Sequence, residues 1–78
     1  MVILIAEDNE LILRTVQYKL IKAGHEVITT TNGKDAIEKL NTMDLDLIIT
    51  DIMMPFASGI EVLSSIKKLE KKIPVIVL

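Results

Sequence analysis

Three acidic residues of this 78-residue sequence come directly after apolar runs, where carboxylates can bind metals and react with phosphoryl groups. Glu7 and Asp8 follow MVILIA (residues 1–6), and Asp51 follows LDLIIT (residues 45–50). Carboxylates that share one crevice raise each other's proton affinity unless a cation neutralises them. Mg²⁺ prefers oxygen ligands, with one or two carboxylates and several retained waters. The three acids therefore predict a Mg²⁺ site in which Asp51 attacks a phosphoryl group and becomes an acyl phosphate.

Seven short segments must position these acids, because the hydrophobic pattern changes its period at turn-type residues. Strands are predicted in residues 1–6, in HEVITTT (25–31), around Leu47, Ile48 and Ile49, and in IPVIVL (73–78). The first helix is predicted between Asn9 and Gly24, with an apolar face of Leu13, Val16, Leu20 and Ala23. A second is predicted after Asn32 with Ala36, Ile37 and Leu40, and a third after a Ser58/Glu61 capping box with Val62, Leu63, Ile66 and Leu69.

The alternation of strands and helices predicts an α/β fold. Short connections and apolar strands favour a parallel sheet with helices on both faces and right-handed crossovers. We expect a flavodoxin-like three-layer sandwich with strand order 2-1-3-4, in which strands one and three flank a topological switch point. Ligands of such sheets bind at the carboxyl ends of the strands beside the switch point. Glu7, Asp8 and Asp51 are predicted at that edge.

Composition indicates one small domain, residues 1–78, and excludes several kinds of site. Eleven acidic and nine basic residues give a net charge of −2, and no stripe of Lys or Arg is present, so direct binding of nucleic acid is not expected. The absence of cysteine excludes disulfides and thiolate metal sites and suits a reducing cytoplasm. The N-terminal apolar run is too short for a membrane span or a signal peptide. We therefore expect a cytoplasmic location.

The acids occur within a more specific set of residues. Glu7 and Asp8 follow the first strand, Asp51 follows the third, Met54-Pro55 comes shortly after, and Gly59 lies four residues beyond the proline. This set resembles the receiver domain of bacterial two-component response regulators, and IPVIVL is similar to the fourth strand of that family. The resemblance covers the whole chain.

The resemblance implies roles for individual residues. Asp51 is the implied phosphoacceptor, accepting its phosphoryl group from a sensor histidine kinase or a phosphotransfer protein. Asp8 and Asp51 are the implied direct Mg²⁺ ligands, together with the main-chain carbonyl of Met53, and Glu7 is implied to hold a metal-bound water. The chain is accordingly expected to act as a signalling phosphoacceptor and not as an enzyme.

The chain ends at Leu78, whereas the resemblance implies a fourth helix, a fifth strand and a fifth helix beyond that point. We therefore expect a truncated receiver domain without the Ser or Thr and the Lys that contact the phosphoryl group in the family, so that phosphorylation of Asp51 is slowed. IPVIVL is then an edge strand that offers unpaired backbone groups. A homodimer is expected, joined through the fourth strands or through uncovered sheet faces.

Other interpretations of the same residues differ in their chemistry. A haloacid-dehalogenase phosphatase requires a second aspartate two positions after the first, where this chain has Met53. A dinucleotide-binding turn requires glycines, whereas the first turn here is AEDNE. Two further interpretations stay open. In one, the acids are separate solvated side chains at the ends of strands; in the other, the chain is a folded structural fragment that is not phosphorylated. His25 follows a helix end and is predicted to lie far from the acids.

Overall fold

A computed structural model describes residues 1–51, 59–68 and 72–78. Its strands are β1 (Val2–Ala6), β2 (Glu26–Thr30), β3 (Leu47–Thr50) and β4 (Val75–Val77). Its helices are α1 (Glu10–Lys22), α2 (Gly33–Thr42) and α3 (Gly59–Lys68). Strands and helices alternate along the chain, as the change of hydrophobic period predicts.

The four strands form one parallel sheet with the order β2-β1-β3-β4. Ala6, the last residue of β1, lies between Thr30 of β2 and Thr50 of β3. The chain therefore moves from β1 to one side of the sheet and returns past β1 to the other side. The predicted fold class and strand order are confirmed, and the switch point lies between β1 and β3.

The hydrophobic core has two parts, one on each face of the sheet, because successive strand residues point to opposite faces. On one face, Leu4, Ala6 and Ile48 are buried in a cluster with residues of α2 and α3. On the other face, Ile3, Ile5 and Ile49 are buried in a cluster with Leu13 of α1. Within the described ranges α1 covers its face alone, as predicted, while α2 and α3 share the opposite face.

Side-chain caps begin the first two helices. The Asn9 side chain accepts a hydrogen bond from the Ile12 N–H at 3.2 Å, and the Asn32 side chain accepts one from the Asp35 N–H at 2.8 Å. Both caps satisfy a backbone donor that has no partner inside its helix. After α1, Gly24 takes a φ of +95°, a conformation that glycine adopts without steric cost.

Some boundaries and faces differ from the sequence-based expectation. The first strand begins at Val2 instead of Met1, and β4 contains three residues instead of the predicted six. Ala23 is exposed because it lies past the last turn of α1, as its C-cap. Leu63 is 39% exposed because it lies about 100° around α3 from the buried Val62. Ser58 of the predicted capping box and Leu69 lie outside the described residues.

In the parts of the chain that the structure describes, none of the helices is both long and apolar enough to cross a membrane.

Candidate functional site

The ends of β1 and β3 bring the predicted acids to one edge of the sheet. Glu7 and Asp8 follow β1 directly, and Asp51 follows β3 directly. The Asp51 N–H donates to the Ala6 carbonyl at 2.9 Å, so the two strands remain in register where the acids leave the sheet. The acids lie at the carboxyl ends of the two strands that flank the switch point, where ligands bind in open α/β sheets.

The three carboxylates converge. One oxygen from each of Glu7, Asp8 and Asp51 lies within 4.8 Å of the other two. Glu7 is only 3% exposed, Asp51 is partly buried and Asp8 is exposed. The cluster therefore has a buried floor formed by Glu7 and an open side at Asp8. The predicted meeting of these three side chains is confirmed, whereas their individual roles stay predictions.

Glu7 is the carboxylate that the fold perturbs. Burial raises the pKa of its carboxyl above the usual value, and the negative charge of Asp51 and contacts with Asp8 raise it further. The Asn9 N–H, which donates to Glu7 Oε1 at 3.0 Å, acts in the opposite direction because it favours the charged form. A cation in the cluster would remove the cost of keeping Glu7 charged.

Asn9 connects the cluster to α1 in two ways. Its N–H binds Glu7, and its side chain caps the helix that begins at the next residue. The polar turn between β1 and α1 therefore also orients the buried carboxylate. Sequence reasoning assigned Asn9 only to the cap, because a main-chain donor leaves no signal in the residue type.

The donors that converge here fit Mg²⁺. All three side chains supply oxygen atoms, which hard divalent cations prefer, and the exposed side at Asp8 leaves space for retained waters. Burial is the main cause of the raised pKa of Glu7, so the protein disfavours the charged carboxylate, and a bound cation would offset that cost. Met53, whose main-chain carbonyl is the fourth implied ligand, lies outside the described residues, as does Met54-Pro55.

His25 lies at the opposite edge of the sheet, directly before β2, so the prediction that it lies away from the acids is confirmed. Its Nδ1 is 3.3 Å from the N-terminal nitrogen of Met1.

Two buried threonines nearer the cluster were not singled out from the sequence. Thr30 and Thr50 end the strands on either side of β1, and each directs its hydroxyl to a main-chain carbonyl. Their shared position as the last residue of a strand was the available signal.

Comparison with known proteins agrees with this geometry. A family model described as the response regulator receiver domain matches residues 3–78. The chain is 37% identical over 76 residues to the alkaline phosphatase synthesis transcriptional regulatory protein PhoP of Bacillus subtilis, covering 97% of this chain and 32% of that protein.

Solved structures give the same result. The response regulator protein TrrA from Thermotoga maritima, in complex with Mg²⁺-BeF, has a TM-score of 0.90 at 36% identity, covering 97% of this chain and 66% of that chain. The N-terminal domain of an uncharacterized protein from Wolinella succinogenes has a TM-score of 0.95 at 32% identity, covering 100% of this chain and 63% of that chain. The chain thus spans about a third of the curated relative and about two thirds of these solved chains. It belongs to the response regulator receiver domain family.

Proposed function

We propose that the chain is the phosphoacceptor part of a two-component phosphorelay and that Asp51 accepts the phosphoryl group. The observation that carries this proposal is the convergence of Asp51 with Glu7 and Asp8 at the switch point of a receiver-domain sheet. Asp51 is partly buried, so a donor can reach its carboxylate while the fold limits contact with water.

The transfer forms one bond and breaks one bond. An oxygen of the Asp51 carboxylate attacks phosphorus, and the bond from phosphorus to the donor breaks in line with that attack. With a phosphohistidine donor the departing group is an imidazole, which takes up a proton. With acetyl phosphate the departing group is acetate. The product on Asp51 is an acyl phosphate, and Glu7 and Asp8 stay unmodified.

We further propose that Asp8 and Asp51 hold Mg²⁺ directly and that Glu7 holds it through a water. Their all-oxygen donor set and mutual distances support this assignment. When bound, Mg²⁺ offsets negative charge on the transferred oxygens. Thermal unfolding with and without millimolar Mg²⁺ tests the site: the metal should raise the melting temperature of the parent and leave that of Asp8→Asn unchanged. An equal response of both proteins places the metal elsewhere.

Labelling by acetyl phosphate tests the transfer itself. Mass spectrometry should show one added phosphoryl group on the parent, dependent on Mg²⁺, and none on Asp51→Asn. Asp44→Asn is the matched control because Asp44 is an exposed aspartate in the turn before β3, and it should be labelled like the parent. Labelling of Asp51→Asn to the same extent as the parent contradicts the assignment.

The proposed donor is a sensor histidine kinase or a phosphotransfer protein, the partners with which receiver domains of this family interact. In this proposal the chain supplies the acceptor and is not itself an enzyme, and it acts in the cytoplasm. The net charge of −2 supports a partner other than nucleic acid for these residues.

A second candidate function is self-association without phosphorylation. The observation that favours it is β4, which pairs only with β3 among the described strands and leaves Ile76 49% and Val77 44% exposed. Backbone groups on the outer side of such a strand can pair with a second copy of the chain. We propose that the chain forms a homodimer through this edge or the adjoining sheet face. Acetyl phosphate labelling separates the two functions, because a purely structural fragment stays unlabelled.

A further inference from the structure

Thr50 is a buried polar residue next to the proposed phosphoacceptor, and the function described above does not use it. It is the last residue of β3 and is 0% exposed. Its hydroxyl Oγ1 donates to the main-chain carbonyl of Asp51 at 3.0 Å. A buried hydroxyl needs a partner, and this partner belongs to the residue that carries the proposed reactive carboxylate.

Hydrogen bonds hold the main chain of Asp51 at both of its polar groups. Its N–H donates to the Ala6 carbonyl at 2.9 Å, and its carbonyl accepts the hydroxyl of Thr50. The carbonyl of Thr50 in turn accepts the N–H of Leu78 at 2.9 Å. Because φ and ψ of Asp51 set the direction of its Cα–Cβ bond, these contacts fix where its carboxylate leaves the sheet relative to Glu7 and Asp8 on β1.

We propose that Thr50 is a positioning residue for Asp51. The Thr50 hydroxyl holds the backbone of Asp51 in the conformation that keeps its carboxylate within reach of Glu7 and Asp8. This inference rests on the proposed function of Asp51 and assigns the control of its geometry to a residue outside the acid cluster.

The chain provides a matched control on the other side of β1. Thr30 ends β2, is 6% exposed and pairs with the same residue, Ala6, as Thr50 does. Its hydroxyl donates to the carbonyl of Ile5 at 3.3 Å, which lies within β1 and not on the phosphoacceptor. Removing this hydroxyl removes a buried hydrogen bond of the same type without releasing the Asp51 carbonyl.

The experiment compares Thr50→Val, Thr50→Ser and Thr30→Val with the parent chain. Each protein is measured for its urea unfolding midpoint without metal, its Mg²⁺ midpoint from amide chemical shifts, and its rate of labelling by acetyl phosphate at saturating Mg²⁺. Thr50→Val keeps the shape of the side chain, and we expect labelling about threefold to tenfold slower, the range for one lost hydrogen bond. Its Mg²⁺ midpoint should move to higher concentration, and it should unfold at a somewhat lower urea concentration, because the Asp51 carbonyl loses its donor.

Thr50→Ser should be less stable than the parent without being labelled more slowly. It keeps the hydroxyl, so its labelling rate should stay within about twofold of the parent. It loses a buried methyl group, so it should unfold at a lower urea concentration. Thr30→Val should be labelled at the parent rate. A role confined to stability predicts that all three variants are labelled more slowly, in proportion to their loss of stability. The proposal predicts that only Thr50→Val is slowed, although Thr50→Ser and Thr30→Val also unfold at lower urea concentrations.

The possible outcomes decide separate questions. Parent-like labelling and Mg²⁺ binding by Thr50→Val overturn the role of Thr50 and leave the proposed function intact. Equal slowing in Thr50→Ser and Thr50→Val, or in Thr30→Val and Thr50→Val, also overturns it. A parent chain that is not labelled contradicts the phosphoacceptor function, and the inference about Thr50 falls with it.

Discussion

The carboxyl of Glu7 is buried at the floor of the acid cluster, within 4.8 Å of the carboxylates of Asp8 and Asp51. Burial and these neighbours oppose its ionisation, so its charged form destabilises the metal-free fold. The same charge favours a bound cation. Glu7 thus connects a cost in stability to the metal binding that we propose, and perturbed carboxyl groups of this kind are common in functional sites.

Glu7→Gln should stabilise the metal-free protein near neutral pH, because glutamine avoids both the burial of a charge and its repulsion by Asp51 and Asp8. The repulsion between two like charges at this range in water is worth about 1 kcal/mol. The raised pKa of Glu7 determines how the difference in stability between the variant and the parent depends on pH. Below the ordinary glutamate pKa, the carboxyl is protonated in both folded and unfolded chains, and the variant gains little. As pH rises through the folded pKa, the parent loses stability and the gap opens. Urea unfolding across this pH range measures the gap.

Glu38→Gln is the matched control, because Glu38 is an exposed glutamate on α2. It should show no such gap between acid and neutral pH. Glu7→Gln should also respond less to Mg²⁺ than the parent does. A Glu7→Gln variant less stable than the parent at neutral pH without metal would contradict the account of the buried charge.

The meeting of the three acids could be predicted from the sequence, but the different burial of Glu7 and Asp8 could not. Parallel neighbouring strands bring their carboxyl ends to one edge, so the topology alone placed Glu7, Asp8 and Asp51 together. Their burial depends on how far each strand stays in the sheet. The Glu7 N–H extends the ladder to β2 by donating to the Thr30 carbonyl at 3.0 Å, whereas Asp8 is exposed one residue later.

The two asparagine caps show how single residues set the starts of helices. Asn32→Ala removes the acceptor for the Asp35 N–H, and we expect a loss of about 1 kcal/mol in the free energy of unfolding. Asn41→Ala is the control, since Asn41 is exposed in the last part of the same helix and alanine has the higher helix propensity. Chemical denaturation should show this loss in Asn32→Ala and not in Asn41→Ala. Equal stability of the two variants would show that the Asn32 cap does not stabilise the fold.

Gly24 ends the turn after α1 with a φ of +95°, and a Cβ added there meets no atom within 4 Å. Gly24→Ala therefore costs stability through backbone conformation alone, by about 1 kcal/mol. Gly24→Asn should cost less, because asparagine tolerates positive φ better than alanine does. Thermal unfolding of the two variants measures the difference, and an alanine variant as stable as the parent would show that the turn relaxes to a negative φ.

Hydrophobic period and cap residues were sufficient to predict the seven elements described above. They did not predict which side chains at the margin of an apolar face are exposed. Val62 and Ile66 lie four residues apart on α3 and are both buried, as their spacing indicates. Leu63 was predicted on the same face and is exposed. A single helix stripe does not reveal how wide a surface the neighbouring element covers, and here α3 packs beside α2 on one face of a narrow sheet.

The described helices cover the two faces of the sheet unequally. Among them, α2 and α3 pack on the face of Ala6 and Ile48, whereas α1 packs on the face of Ile5 and Ile49. Right-handed crossovers made this arrangement predictable, because they assign each helix to a face once the strand order is known. The exposure of β4 follows from the same order, because β4 lies at one end of the four-stranded sheet and β2 at the other.

Because strand β4 is exposed, we expect the 78-residue chain to form a homodimer. Covering a few hundred Å² of apolar surface would contribute on the order of 5 to 10 kcal/mol before association costs, and pairing of the free strand edges would add to this. Light scattering during size-exclusion chromatography should give twice the monomer mass at tens of micromolar. Ile76→Lys, on the 49% exposed side chain of β4, should shift the chain to monomer. Ile60→Lys, at an exposed position on α3, should leave the dimer intact. A monomeric parent, or equal effects of both lysines, would show that β4 does not join two copies.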